Sequence, residues 1–190
     1  MQASPAPYPA RLEIDYQEKL RRLTTLFRPI LMIPIAIIQG ALSTGLFGAT
    51  ALMIVFRKRY PRWWFDFARE LARFNARVSA YGALLTDRYP STEDEQAVHL
   101  EVDYPDVERD LNRWLPLFKW LLAIPHFILL WFLWLFAFCA VVLSWFAILF
   151  TGSNPRPLFD FVVGIFRWSL RVQAYVSLLV TDRYPPFSVN

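Results

Sequence analysis

The apolar residues of this chain fall into two long runs, and each run is followed by a segment in which apolar and polar residues are mixed. The second run, at 120–150, has thirty-one residues without a charged side chain, and its polar side chains are His126 and Ser144. A helix of that length would measure about 46 Å, more than the ~30 Å hydrocarbon core of a bilayer. The first run, at 29–56, is also long enough. We therefore predict a membrane helix in each run.

The segments after the runs, at 63–86 and 158–181, have a helical period. Asp160, Arg167 and Arg171 recur at intervals that place them on one side of a helix, with an apolar face opposite. A short stretch before each run, at 11–16 and 98–104, alternates with a period of two and predicts a strand or extended arm outside the bilayer.

The chain matches itself at an offset of 88 to 95 residues. LEIDY at 12–16 recurs as LEVDY at 100–104, and TDRYP at 86–90 recurs at 181–185. We expect a disordered tail at 1–10, a first repeat at 11–90, an acidic linker at 91–97 and a second repeat at 98–190. Each repeat should be a long apolar helix with an amphipathic return helix, in an all-α integral membrane protein.

Two placements of the return helices are open. Arginines in their middle favour a position on the membrane surface, because a charge at the bilayer centre is costly. Only nine residues join TDRYP of the first repeat to LEVDY of the second, which favours an even number of crossings and thus tilted hairpins. The proline residues Pro34 and Pro125 should kink each long helix or mark where an interfacial segment becomes the crossing helix.

Composition agrees with a membrane protein. Hydrophobic residues make up 56% of the chain and aromatic residues 17%, more than the surface of an ordinary soluble domain accommodates. The rival interpretation is a large soluble core. Net charge is +4, but basic and aromatic residues do not alternate as in nucleic-acid binders, and no nucleic-acid partner is expected. The basic block at 57–62 follows an apolar run, where it would attract anionic headgroups.

The repeated motifs carry a resemblance. At LEIDY, the Ile-Pro-His of the second run, the Phe-Asp-Phe that follows it and the final Asp-Arg-Tyr-Pro-Pro-Phe, the chain resembles a family of bacterial membrane proteins known as a domain of unknown function, DUF4389. The resemblance covers almost the whole chain, in two tandem copies. The first copy departs from the pattern, with Ile35 where the second has His126. The resemblance implies a membrane fold, with the bacterial inner (plasma) membrane as the expected location, and no activity.

Two groups of residues are candidate sites. The first is a candidate anion or lipid site on the return helices, the alternative being an ion-pair stripe that seals the hairpin: Asp66, Arg73, Arg77, Asp160, Arg167 and Arg171. The second is a set of small residues that would let another helix approach closely: Gly40, Ser43, Thr44, Gly45 and Gly48.

Catalytic chemistry is not indicated. No phosphate-binding glycine loop, no Ser-His-Asp set and no paired catalytic carboxylates occur, so we expect no enzyme and no cofactor. His126 is a weak candidate for a metal or haem ligand, since two histidines and the single Cys139 do not supply a ligand set, and an interfacial hydrogen-bonded role is favoured.

The leading hypothesis is a non-catalytic membrane protein that acts as an accessory or scaffold subunit, packing against a larger membrane complex or itself. The alternative is a lipid or amphipathic small-molecule binder or transporter that uses the arginine stripe. Membrane lipids are expected partners in both.

Overall fold

The computed structural model describes residues 8–43, 46–91 and 96–189. Most of these residues are helical, as the sequence predicts. The elements follow the chain in this order: β1 (Ala10–Ile14), α1 (Arg22–Ser43), α2 (Leu46–Arg57), α3 (Arg62–Gly82), β2 (Val98–Val102), α4 (Val107–Asp110), α5 (Pro116–Leu122), α6 (Ile124–Thr151) and α7 (Arg156–Val176).

The two predicted arms are strands, and they pair with each other. β1 and β2 form a two-stranded antiparallel sheet in which Leu12 lies opposite Leu100. In both strands every second residue is buried, which is the burial that a period of two predicts. β1 begins at Ala10, inside the segment predicted as a tail; residues 1–7 of that segment lie outside the described residues.

Each strand packs on the amphipathic helix of the other repeat. β1 lies against α7, and β2 lies against α3. The tyrosine that ends each LEIDY-type motif makes the same exchange: the hydroxyl of Tyr16 donates to the carbonyl oxygen of Asn154, and that of Tyr104 donates to the carbonyl oxygen of Tyr60, both at 2.6 Å. The two repeats are therefore interlocked by their arms.

The long apolar segments of the two repeats run antiparallel. Near the start of α1, the amide of Leu20 donates to the carbonyl oxygen of Gly152 at 2.9 Å, just past the end of α6. At the other end, the guanidinium of Arg113, shortly before α5, donates to the carbonyl oxygen of Phe56 at 3.2 Å, near the end of α2. The start of each long segment thus lies beside the end of the other.

The prolines act differently in the two repeats. Pro125 occupies the first turn of α6, and the single residue Ala123 separates α6 from the short helix α5, so one helix ends and another begins just before this proline. In the first repeat, α1 continues through both Pro29 and Pro34 as one helix.

The return helices α3 and α7 end earlier than the sequence predicts. They stop at Gly82 and Val176, several residues before Thr86 and Thr181. The reason is a left-handed backbone at Leu84 (φ 63°) and at Leu179 (φ 55°), a conformation that a helix cannot continue through. The amide of Leu85 then bonds back to the carbonyl oxygen of Ala80 at 2.9 Å, which closes the helix end.

The core lies between the sheet and the return helices, and α1 and α6 contribute only narrow stripes to it. Buried α6 residues follow a helical spacing: His126, Leu130, Ala137, Ala140, Ser144 and Ile148. Large apolar side chains elsewhere on α1 and α6 are exposed, for example Ile37 at 67% and Phe138 at 65%. Within the described residues these two helices are long and apolar enough to cross a membrane. Because most of their surface lies outside the core, they differ from the central helix of a soluble protein.

Candidate functional site

The arginines of the predicted stripe bind backbone carbonyls of the other repeat's strand. Arg73 of α3 donates from Nε to the carbonyl oxygen of Leu100 at 2.9 Å, and Arg167 of α7 donates from Nε to that of Leu12 at 3.0 Å. The two contacts are the same contact made twice, once by each repeat. They hold the sheet onto the return helices.

The second arginine of each stripe holds the segment that follows its own helix. Arg77 donates from Nη1 to the carbonyl oxygen of Ser91, and Arg171 donates from Nη2 to that of Ser188. Burial lowers the pKa of Arg171, with the neighbouring Arg167 adding a smaller effect in the same direction. Four guanidinium groups of the candidate anion site are thus engaged by backbone oxygens.

The aspartates of the stripe are ion-paired near the surface. Asp66 lies 3.3 Å from Nη2 of Arg69, and Asp160 lies 3.2 Å from Nε of Arg156. Both carboxylates are more than 40% exposed. The aspartates thus pair with arginines outside the set, and the stripe arginines donate to backbone oxygens, while Arg73 also pairs with Glu70 at 2.8 Å. These contacts support the ion-pair and hydrogen-bond interpretation of this set.

Two clusters built on buried cations were not predicted from the sequence. In the first repeat, Nη2 of Arg28 pairs with Oδ1 of Asp87, the aspartate of the first TDRYP, and its Nη1 donates to the carbonyl oxygens of Tyr81 at 3.1 Å and Thr86 at 3.0 Å. Arg28 is only 2% exposed. The cation from the long helix therefore fixes the TDRYP segment after the return helix.

The second repeat builds the same cluster with lysine. Nζ of Lys119 lies 2.7 Å from Asp182 and donates to the carbonyl oxygen of Thr181 at 2.6 Å. Lys119 is fully buried, and burial lowers its pKa while Asp182 opposes that shift. The ring of Tyr175 lies 4.8 Å from Nζ, a cation–π contact, and burial raises the pKa of this tyrosine.

A sequence signal for these clusters existed. Arg28 and Lys119 occupy matching positions at an offset of 91, within the offsets of the repeat. Each is the residue directly before an apolar run, so both repeats have a basic residue at this place. Asp87 and Asp182 recur in the same way. The recurrence of a basic and an acidic residue in both repeats indicates these pairs, whereas the period of a single helix does not connect residues 59 or 63 positions apart.

His126 is buried inside the second repeat. Its Nδ1 accepts a hydrogen bond from the indole of Trp168 at 3.1 Å, and its ring stacks on Phe187 at 4.0 Å between centroids. Among the described residues no group of three His, Cys, Asp or Glu side chains could hold a metal ion. His126 is thus hydrogen-bonded in the interior of the protein, whereas the sequence favours a hydrogen-bonded position at the membrane interface.

Two members of the small-residue set, Gly40 and Gly48, lie on an exposed surface. A Cβ atom added at Gly40 or at Gly48 would meet no atom of another described segment within 4 Å. Thr44 and Gly45 lie outside the described residues, as does the side chain of Ser43. No other described helix occupies the two glycine positions, so close helix packing here remains a prediction about another molecule.

An apolar cleft lies beside the first buried cluster. Its volume is about 430 Å³, and its walls include Arg28, Met32, Gly82, Val142 and Trp145. The cleft opens between α1 and α6. Its lining would accept an apolar chain, and Arg28 forms part of one wall.

Comparison with known proteins identifies relatives by sequence family alone. A family model described as a domain of unknown function, DUF4389, matches residues 22–92 and again residues 113–188. The two matches coincide with the two repeats. No curated protein and no solved structure matches the chain.

Proposed function

The chain belongs to the DUF4389 family and contains two copies of this domain of unknown function, so we propose a function from its own residues. The proposed function is that of a non-catalytic membrane protein that acts as an accessory or scaffold subunit. In this function the chain works through its surfaces. Its partner is a membrane protein or a second copy of the chain, in contact with membrane lipids.

The observation that carries this proposal is that the polar groups bind each other within the fold, while the apolar groups form the outer surface. The stripe arginines donate to backbone oxygens, and Arg28 and Lys119 pair with Asp87 and Asp182. These groups hold the fold together. What the chain presents outward on α1 and α6 is apolar, and such a surface binds lipid or protein.

The open glycines give the proposed protein contact a location. Gly40 and Gly48 are exposed on the first apolar segment, with open space where a side chain would stand. In membranes, helices approach most closely where small residues lie at the interface. A partner helix seated here would contact the backbone of α1 and α2 directly.

The experiment is purification from native membranes in mild detergent, followed by identification of co-purifying proteins and of the oligomeric state. Gly40→Leu and Gly48→Leu would block the proposed contact, because a Cβ at either position meets no atom of another described segment within 4 Å. Ala41→Leu, next along the exposed surface of α1, is the control. We expect the glycine variants to lose the partner or self-association and the control to keep it. A wild-type chain that purifies as a lone monomer under gentle conditions would refute the proposal.

A second candidate function, binding of a lipid or amphipathic small molecule, is supported by the apolar cleft beside Arg28. In this candidate function the ligand would bind in the cleft and not at the arginine stripe. Val142→Trp would fill the cleft, and Leu143→Trp, an exposed neighbour outside its lining, is the control. Mass spectrometry of bound lipid would show a loss in the first variant alone if the cleft is the site.

A further inference from the structure

The charged sheet stands over the middle of the long apolar helices. Arg167, which binds β1, lies near the centre of α7, and its neighbour Phe166 packs on Trp134 near the centre of α6, with ring centroids 5.1 Å apart. One cavity of about 190 Å³ is lined together by Leu12 and Leu100 of the sheet and by Gln39 and Trp134 of the long helices. These contacts place the sheet at the same position along the helix axis as the middle of α6.

The outer face of this sheet is polar. The outward positions of the two strands are Arg11, Glu13, His99 and Glu101. Nη2 of Arg11 lies 3.2 Å from Glu101, and these side chains are 44% and 67% exposed. Such a face requires water or headgroups.

This arrangement conflicts with an upright α6. If α6 crossed a bilayer, its middle would lie at the bilayer centre, and the sheet would lie at the same depth with its charged face toward acyl chains. Charged side chains at that depth are strongly disfavoured unless they face a protein interior or a water-filled cavity. A membrane parallel to the layers, with the sheet on the outside and the exposed faces of α1 and α6 in the acyl chains, removes the conflict.

The basic residues at the two ends of the apolar layer point the same way. Exposed Arg21 and Arg22 lie at the end where α1 begins, and exposed Arg57, Lys58 and Arg113 lie at the opposite end. Helices that cross a membrane carry their excess of Lys and Arg on one side. Basic groups at both ends suit a layer whose two ends meet the same anionic headgroups.

We propose that the chain is embedded in one leaflet, with α1 and α6 lying along the membrane and the two-stranded sheet in water. The partner of the apolar face is therefore the acyl-chain region of a single leaflet, bordered by anionic headgroups. The proposal rests on the membrane location in the proposed function and specifies how the chain sits there.

The test is the sidedness of single cysteines. In a Cys139→Ala background, Glu13→Cys marks the sheet, and Arg109→Cys and Arg156→Cys mark exposed sites before α5 and after α6. Right-side-out and inverted membrane vesicles are treated with a charged, membrane-impermeant maleimide. Detergent-solubilised protein, in which all three cysteines must react, is the control for folding and reactivity.

We expect all three cysteines to react in one type of vesicle, to extents within about twofold, and to be protected in the other. Reaction of Arg109→Cys and Arg156→Cys in opposite vesicle types would overturn the proposal, because α6 would then cross. Alkaline carbonate extraction separates this failure from that of the proposed function. Release of the protein by carbonate removes the membrane location itself, whereas retention with opposite sidedness removes only the one-leaflet placement.

Discussion

Nε of Arg73 in the first repeat donates a hydrogen bond to the carbonyl oxygen of Leu100 in the second, at 2.9 Å. Arg167 and Leu12 repeat this contact in the opposite sense at 3.0 Å. A side chain that looked like part of a ligand site in the sequence is thus a clamp between two copies of one unit. The clamp explains why the arginines recur in both copies without requiring a bound anion.

Loss of the clamp should destabilise the fold. Arg73→Ala and Arg167→Ala each remove a partly buried hydrogen bond to a backbone oxygen, at a cost of about 1 kcal/mol, or roughly 2 kcal/mol in the double variant. For a chain of this size the double variant should lower Tm by roughly 4–8 °C, measured in detergent by thermal unfolding. Arg109→Ala is the control, because Arg109 is 86% exposed. Equal Tm values for control and double variant would rule out a clamp.

Breaking a buried ion pair should destabilise the fold more than removing the clamp. Asp182→Asn leaves the fully buried Lys119 without its carboxylate, and Asp87→Asn does the same to Arg28. Removing one partner of a buried pair typically costs about 3–5 kcal/mol, since the other charge stays buried and uncompensated. Chemical denaturation measures this loss. Asp103→Asn, which breaks an exposed pair with Arg11, should cost less than about 1 kcal/mol. A comparable loss in this control would mean that burial of the cations does not govern the effect.

The pair His126 and Trp168 can be tested against the other repeat. The matching positions in the first repeat hold Ile35 and Phe74. His126→Ile alone leaves the Trp168 indole without its acceptor, which should cost about 1–3 kcal/mol. Adding Trp168→Phe removes the unpaired donor and should recover part of that loss. Additive costs in this double-mutant cycle would show that the hydrogen bond carries no coupling energy.

The exchange of arms predicts a specific cross-link. Glu13 lies opposite His99 in the sheet, so Glu13→Cys with His99→Cys should form a disulfide on mild oxidation in a Cys139→Ala background. Protection of both thiols from maleimide, reversed by a reductant, measures it. The combination of Glu13→Cys with Arg109→Cys is the control and should remain reactive. Free thiols in both combinations would mean that the arms do not pair in this register.

The strands and most helices could be predicted because each rests on local information, and the repeat could be predicted because the sequence matches itself. A period of two at 11–16 and 98–104 gave strands, and long apolar runs gave α1 and α6. The helix ends were predicted too late, since the left-handed turns at Leu84 and Leu179 have no glycine to announce them.

The partners of the polar groups could not be predicted in the same way. Arg73 finds a carbonyl oxygen twenty-seven positions away, and Arg28 finds a carboxylate fifty-nine positions away. Backbone acceptors carry no sequence signal, and a helical period reports only on residues of one helix. The stripe was therefore recognised as a set, while its use in holding the arms depended on the tertiary fold.

If the exposed apolar faces of α6 and α1 lie in lipid, the native Cys139 reports it without any substitution. This cysteine is exposed on α6 and is the single cysteine of the chain. A nitroxide attached to it in liposomes reports its surroundings through its collisions with oxygen, which concentrates in lipid, and with a water-soluble nickel chelate. We predict high accessibility to oxygen and low accessibility to the chelate. Higher accessibility to the chelate than to oxygen would show that this face of α6 lies in water and not in lipid.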